Sequence, residues 1–413
     1  MAKMKILFVS YCLPYPKVAH GGGTDLFHLI ESLGERHEVH LLATAIETEL
    51  PHVDEMRPFC RSVKVVVPAL TWRPKLRNAW QGLRTNPLLI GRRAHHEMRM
   101  WIRRLVEGRG INVAQFEWTG AGVFVDAVPP GTAVTILDEV DVSFLPRRQV
   151  FQRARWPWVK AWAFWRYLHT KRWELNICQR FDAILTRSAR DKEVLLSHLP
   201  QAYVSVLQPW THVARFADIT PAEREKGALL FVGAMDRDEN CEAILYFYKH
   251  CFPRIRAAVP GVRLWVVGAS PQPRVRRLAR DPQVSVTGYV EDLRPYYARC
   301  HVFVAPMLVG GGVLNKIVDA MGAGRPVVST SGGNEGIGAV PDEEILIADD
   351  APVFARATVA LLRDEGLWGK IARGGRERVQ RVYDWEANVA NLEGLYLQLI
   401  EGKRRELAIS KGE

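Results

Sequence analysis

The chain has 413 residues, 48% hydrophobic and 24% charged, too long for one ordinary core and suited to two soluble globular domains of similar size. Its six cysteines are scattered without a CxxC pair, which excludes a metal-ligand spacing and, in a chain this large, a disulfide framework. The net charge of +11 is local: residues 72–104 and 147–180 each carry nine Lys or Arg against a single acid (Glu97 and Glu174), a surplus of +16 that leaves the remainder at −5.

In chain order, short apolar runs alternate with helical stretches, the pattern of parallel sheets with crossover helices. The run Lys5-Ile-Leu-Phe-Val-Ser10 is too short for an export signal, lacks a small-residue cleavage site, and reads as a first buried strand. A glycine turn follows, Ala19-His-Gly-Gly-Gly-Thr-Asp25, then a helix over 24–33. Strands are expected at Val39–Ala43, Val63–Val67, Val113–Glu117, Ala133–Leu137, Ala183–Thr186 and Val204–Leu207, and Pro209 to Glu225 reads as a linker. A second series begins at Leu229-Leu-Phe-Val-Gly233, with a helix over 241–257 and strands at Val262–Gly268, Val284–Thr287, Val302–Ala305 and Pro326–Thr330. A helix over 315–322 precedes the last of these. Two such series predict two doubly wound α/β domains, 1–208 and 227–384, joined by a linker at 209–226, with a final helix near 385–413 returning to the first domain. Ligands are expected at the carboxyl ends of the strands. No apolar run reaches the ~18 residues of a membrane span, so the expected location is cytoplasmic, or peripheral on the membrane surface.

The strongest local signal is Val309-Gly-Gly-Gly-Val-Leu-Asn-Lys-Ile-Val-Asp-Ala-Met-Gly322, directly after Val302–Ala305. Glycines let backbone approach a ligand closely, and a helix opening near Val313 presents N–H groups and the positive end of its dipole, the environment a diphosphate wants. Gly310, Gly311, Gly312, Val313, Leu314 and Asn315 form this turn, and Lys316 adds a point charge for phosphate oxygens. Asp319 lies on the same helix face, placed to accept hydrogen bonds from ribose hydroxyls. Taken alone, the segment fits a glycine-rich turn with a solvated Lys and Asp equally well. The earlier glycine turn lacks GxGxxG spacing and no acid ends the next strand, which argues against a nicotinamide dinucleotide. Glu117 and Asp138 end strands, where each suits either orientation or deprotonation of an acceptor hydroxyl, or a solubilising carboxylate. No metal motif is present, and His95-His96 lacks ligand spacing.

Gly233-Ala-Met-Asp-Arg-Asp-Glu-Asn240, Thr287-Gly-Tyr-Val-Glu-Asp292 and Val318-Asp-Ala-Met-Gly-Ala-Gly-Arg-Pro-Val-Val328 resemble the retaining glycosyltransferases of family 4. Ser331-Gly-Gly-Asn-Glu-Gly336, Arg215-Phe216 and Tyr383-Asp-Trp-Glu386 are similar to further landmarks of that family. The resemblance covers nearly the whole chain and is nearest to the bacterial branch that builds exopolysaccharides and other cell-surface glycans. It implies the GT-B fold, two Rossmann-like domains facing across a cleft. It implies a nucleotide-diphosphate-sugar donor held by the C-terminal domain without metal or other cofactor, and a glycan or lipid-linked acceptor. Gly288 and Tyr289 would meet the base, Asp319 the ribose, and 310–316 the diphosphate and sugar, with Gly22 and Gly23 reaching from the other domain. Relatives carry two glutamates eight positions apart where this chain has Gly311 and Asp319, so the carboxylate that usually contacts the transferred sugar is missing. The usual Arg after the strand glycine is Ala234 and the usual Lys five residues later is Glu239; Arg237 and Lys316 are expected to neutralise the leaving diphosphate instead. A similar Asn-Lys arrangement belongs to the exopolysaccharide branch. The resemblance implies same-face attack, with the departing phosphate taking the acceptor proton; many relatives have His at the position of Glu117. The departures motivate a rival expectation, a binding or regulatory protein on a decayed transferase scaffold, against which the presence of Lys316 and Asp319 speaks. A sugar-nucleotide epimerase of the same fold is a third.

Arg153-Ala-Arg-Trp-Pro-Trp-Val-Lys-Ala-Trp-Ala-Phe-Trp-Arg-Tyr-Leu168 interleaves rings with cations. It fits a helix lying in an anionic membrane interface, with Trp at headgroup depth, as a lipid-diphosphate-linked acceptor would require. It fits equally a helix whose tryptophans fill the core while arginines face water. Pro157 disfavours a helix through it, so the docking helix is expected to begin near Trp158. No nucleic-acid-binding signature is present, which excludes that partner.

Overall fold

Apolar runs with no polar face, such as Ile6–Val9 and Leu229–Val232, have to be covered on both sides, and both become central strands of parallel sheets. The computed structural model describes residues 3–16, 18, 21–68, 91–211, 216, 218–310 and 312–411. Residues 72–90 of the first basic stretch, Arg215 and Gly311 lie outside the described residues.

The chain divides into two units, Met1–Trp210 with Glu386–Glu413, and Thr211–Trp385. The first unit holds β1 (Lys5–Ser10), β2 (Glu38–Thr44), β3 (Ser62–Val66), β4 (Val113–Glu117), β5 (Val134–Glu139), β6 (Ala183–Thr186) and β7 (Val204–Val206). They form one sheet in the order β3-β2-β1-β4-β5-β6-β7. The second unit holds β8 (Ala228–Val232), β9 (Arg263–Val267), β10 (Val284–Val286), β11 (Val302–Ala305), β12 (Val327–Ser329) and β13 (Leu346–Ile347), in the order β10-β9-β8-β11-β12-β13. All ladders are parallel. Both units are therefore Rossmann-like, with chain order reversing beside β1 and beside β8, where such sheets hold ligands. β13 is absent from the sequence expectation because two residues are too few to show a period.

Two helix starts differ from expectation for local reasons. The first helix runs Gly21–Gly34, so the glycines form its first turn rather than a loop before it. The long aromatic helix runs Pro157–Cys178, with the proline in its first turn, where a missing N–H costs no helical bond. The helix after β8 reaches Ala258, but through a π turn at Phe247–Cys251 just before Pro253, whose ring nitrogen cannot donate to the helical ladder.

The C-terminal helix, Trp385–Lys411, is tied to the first unit by polar contacts at the edge of the core. Glu393, buried, accepts from His37 Nε2 at 2.8 Å and Arg36 Nη1 at 3.0 Å. Met4 N donates to His37 Nδ1 at 3.3 Å, which fixes the proton of a neutral ring on Nε2. Tyr396 OH donates to Gln115 Oε1, and Lys403 Nζ reaches Asp182 Oδ2 at 2.7 Å. Removing one member of a buried pair strands the other. Glu393→Ala is therefore expected to cost about 3 kcal/mol in urea unfolding, and Glu393→Gln, which still accepts a hydrogen bond, distinctly less.

Candidate functional site

In the second unit, the ends of β8, β9, β11 and β12 converge. Gly233 leaves β8 without a side chain because a Cβ there would lie 2.9 Å from Cγ of Asn240. A Cβ on Gly268, at φ +151°, would overlap the Gly233 carbonyl, so the two strand ends approach as bare backbone. Asn240, in the first turn of the helix Asp238–Tyr246, donates from Nδ2 to Ala234 O at 2.9 Å. Its Oδ1 accepts from Lys316 Nζ at 2.6 Å. The amide thus fixes a cation at the end of β8.

Lys316 sits in the first turn of the helix Asn315–Gly322, which has the expected bounds, and no side chain caps its start. Its ammonium lies 4.9 Å from the Phe231 ring centroid. Burial lowers the Lys316 pKa to about 8; the Glu239 charge opposes this and the Arg237 charge adds to it. Arg237, exposed at the mouth of the same helix as Asn240, is close enough to be felt by Lys316. The structure thus brings together Arg237, Lys316 and Asn240, and Asn240 is the member sequence reasoning did not assign.

Asp319 follows on the same helix, nearly buried at 7% exposure, beside Tyr297, whose hydroxyl donates to Lys316 O at 3.2 Å. Gly288, at φ +79°, accepts through its carbonyl from Gly268 N at 3.2 Å, and Tyr289 beyond it is 77% exposed, a ring free for stacking. Val313, Leu314 and Asn315 are half-buried ahead of Lys316, and Gly310 and Gly312 pack against the segment after β12. Gly311 lies outside the described residues.

In the first unit, Glu117 and Asp138 pair across β4 and β5, and both are fully buried. This overturns the reading of solubilising carboxylates: these strands are central, and Gln115, Arg187 and Tyr396 close over their ends. Arg187 Nη2 donates to Asp138 Oδ2 at 2.7 Å, and Gln115 Nε2 donates to Glu117 Oε1 at 2.9 Å. Asp25, also buried, completes a group of three carboxylates around one guanidinium. Burial raises Glu117 well above the usual carboxylate range and raises Asp138 too, with the Arg187 charge opposing. Asp25 is pushed to about 7 by burial, again against Arg187. Gln115, Arg187 and Tyr396 had no local motif to mark them, and Asp25 closed the first glycine turn without an assigned role. Gly22 and Gly23 open the neighbouring helix, and a Cβ on Gly22 would lie 2.6 Å from the Trp118 ring, so close packing alone requires that glycine.

The family described as Glycosyl transferases group 1 matches residues 226–364, the segment carrying this site. That match lies within the second unit, Thr211–Trp385. The chain is 23% identical over 397 residues to a 44.6 kDa protein in the cps region of Klebsiella pneumoniae, spanning 92% of this chain and 96% of that one. It is 28% identical over 175 residues to the phosphatidyl-myo-inositol mannosyltransferase of Mycobacterium leprae, covering 41% and 46% of the two chains. Among solved structures, sucrose-phosphate synthase from Thermosynechococcus elongatus superposes with a TM-score of 0.70 at 19% identity, over 97% of this chain and all (100%) of that one. Anabaena HepE, solved in complex with UDP, gives 0.69 at 13% identity over 96% and 100%. The fold of the two units is thus the GT-B class, two parallel-sheet α/β domains.

The first unit's carboxylates generate a pH test. A carboxyl whose native pKa is raised binds a proton in the folded state that the unfolded chain has released, so its contribution falls as pH rises from about 4 to about 7. Asp25→Asn removes that penalty. Its melting temperature relative to wild type is expected to climb between pH 5 and pH 8, by an amount worth a few kcal/mol at most. A difference independent of pH would mean Asp25 does not titrate there.

Proposed function

We propose that the protein transfers a sugar, with retention, from a nucleotide-diphosphate sugar to a glycan or lipid-linked acceptor in the building of a cell-surface polysaccharide or glycoconjugate. The observation that carries this is the Asn240-held Lys316 ammonium at an uncapped helix start, with Arg237 alongside, after a glycine loop. Such an assembly suits an anion that becomes more negative as a bond to it breaks. In the proposed reaction the bond from the anomeric carbon to the diphosphate oxygen breaks, and Lys316, Arg237 and the helix N–H groups take up the developing charge. The acceptor hydroxyl attacks from the same face, the new glycosidic bond forms, and its proton passes to the departing phosphate. Gly310, Gly312, Val313, Leu314 and Asn315 line the diphosphate and sugar, Asp319 meets the ribose, and Gly288 and Tyr289 meet the base. In the first unit the sealed Glu117 and Asp138 hold the strand ends in place and do not touch the acceptor. The names of the relatives, a cps-region protein and a mannosyltransferase, support glycan assembly as the setting, and UDP in the HepE complex supports the donor class. We propose that no metal or other cofactor takes part.

Thermal shifts with UDP-, GDP-, TDP- and ADP-sugars identify the donor, since a ligand at a hundred times its dissociation constant stabilises by ~2.7 kcal/mol. Transfer or hydrolysis of that donor separates an active enzyme from a decayed scaffold, which would bind without turnover. Lys316→Ala is expected to lower turnover about 100-fold. In the wild type, calorimetric affinity for the nucleoside diphosphate should be greatest below pH 8 and fall as pH rises through about 8, where the ammonium deprotonates. Lys316→Arg, charged throughout, should abolish that break. Retention of the break in Lys316→Arg would assign it to another group.

For the acceptor, we propose that the first unit rests on anionic membrane through the helix Pro157–Cys178, in a peripheral, cytoplasmic-face location. Trp156, Trp158, Trp162 and Trp165 are 63%, 67%, 56% and 61% exposed, so the reading in which they fill the core falls away. Arg155 and Lys160 are exposed among them, and Arg166 lies 4.7 Å over the Trp162 ring. Rings at headgroup depth with cations between them match an anionic interface, each cation adding about 1 kcal/mol. No helix among the described residues is long and apolar enough to cross a membrane. Vesicles containing anionic lipid should sediment the protein at low salt, and binding should weaken in high salt and in the combined Trp158→Ala, Trp162→Ala, Trp165→Ala variant. Equal sedimentation with neutral vesicles, or none with either, would remove the membrane from the proposal.

A further inference from the structure

The stretch from 306 to 318 has no carboxylate of its own, yet the segment after the neighbouring strand delivers one beside Gly310. β12 ends at Ser329, and Thr330 then joins two loops: its hydroxyl donates to Met307 O at 2.6 Å and accepts from Gly333 N at 3.2 Å. Asp349 holds the next residue from the other side, accepting from Ser331 N at 2.7 Å and Ser331 Oγ at 2.6 Å. With that turn fixed, the segment after β12 lies on the glycine loop with almost no side chain between them. A Cβ on Gly332 would come within 3.1 Å of Gly310 N, and one on Gly336 would overlap the backbone of Gly312. In this packing the half-buried Glu335 carboxylate fills the position a Cβ of residue 310 would take.

We infer that Glu335 supplies the carboxylate that holds the transferred sugar, replacing the one absent from position 311. The inference rests on the nucleotide-sugar reading above. In the order of the sheet, β11 lies between β8 and β12. The cations Lys316 and Arg237 belong to the β8 side of the glycine loop, and Glu335 to its β12 side. A diphosphate held by the cations therefore has its sugar over the glycines, where the loop has no side chain to exclude it and where the Glu335 carboxylate lies beside Gly310. A carboxylate accepting from two adjacent hydroxyls discriminates their stereochemistry, so Glu335 is a specificity residue as well as an anchor.

The test separates the sugar from the nucleotide. Full-length wild type, Glu335→Gln and Glu335→Ala are titrated calorimetrically with UDP, UDP-glucose, GDP and GDP-mannose, and the pair that the wild type binds is carried forward. Loss of a charged acceptor should weaken the nucleotide sugar about tenfold or more in both variants, while the nucleoside diphosphate keeps its affinity within about twofold. Discrimination between sugar epimers on that nucleotide should shrink in the same variants. Equal weakening of nucleotide and nucleotide sugar would show that Glu335 only supports the loop, and would overturn the inference, as would no change in either. If the wild type binds none of these four ligands and none of the TDP- or ADP-sugars of the thermal-shift screen, the transferase reading itself fails and takes the inference with it. The isosteric Glu335→Gln keeps the test valid if the alanine variant does not fold.

Discussion

A parallel sheet covered on both faces leaves its polar chemistry one exit, the carboxyl ends of its strands. Both units obey this constraint. β1, β4 and β5 are buried along nearly their whole length, as are β8, β9 and β11, and each unit concentrates its titratable groups where those strands stop. Helices begin at the same ends, so unpaired N–H groups and the positive ends of helix dipoles collect beside the carboxylates and cations.

The two ends use this position in opposite ways. In the second unit the ends are kept open. Glycines at 233, 268, 310 and 332 let strands and loops meet as backbone, and the one buried amide, Asn240, fixes the Lys316 ammonium. Burial makes that ammonium costly to keep charged, and the Arg237 charge adds to the cost, which is the physical reason its pKa falls to about 8.

In the first unit the ends are closed. Asp25, Glu117 and Asp138 surround Arg187, and the last helix seals them through Tyr396 and Gln115. One guanidinium cannot compensate three buried carboxylates, so protons remain within the cluster and hold it together. The cluster also depends on a segment nearly three hundred residues away in sequence, since Gln115 meets Tyr396. On the outer surface of this unit, the helix Pro157–Cys178 buries Ala163, Glu174, Ile177 and Cys178 and leaves its aromatic first half uncovered.

The alternation of short apolar runs determined the fold class, since runs such as Leu229–Val232 are stable only as covered parallel strands. The sequence likewise marked the glycine loop, Lys316 and the turn at Gly288 through local spacing. What it left open were the questions that turn on contacts between distant segments. Whether Glu117 and Asp138 faced water or an arginine depended on Arg187 and Tyr396, neither of which has a local motif. Whether the tryptophans of 156–165 faced core or solvent was undecided, because a stretch with rings and cations on every side has no period from which to read a face. The absence of a carboxylate at 311 was visible in the sequence, but the approach of Glu335 to Gly310 was not. Only the packing of the β12 turn on the glycine loop brings together residues twenty-five positions apart, and that packing exists because Gly310, Gly332 and Gly336 leave room for it.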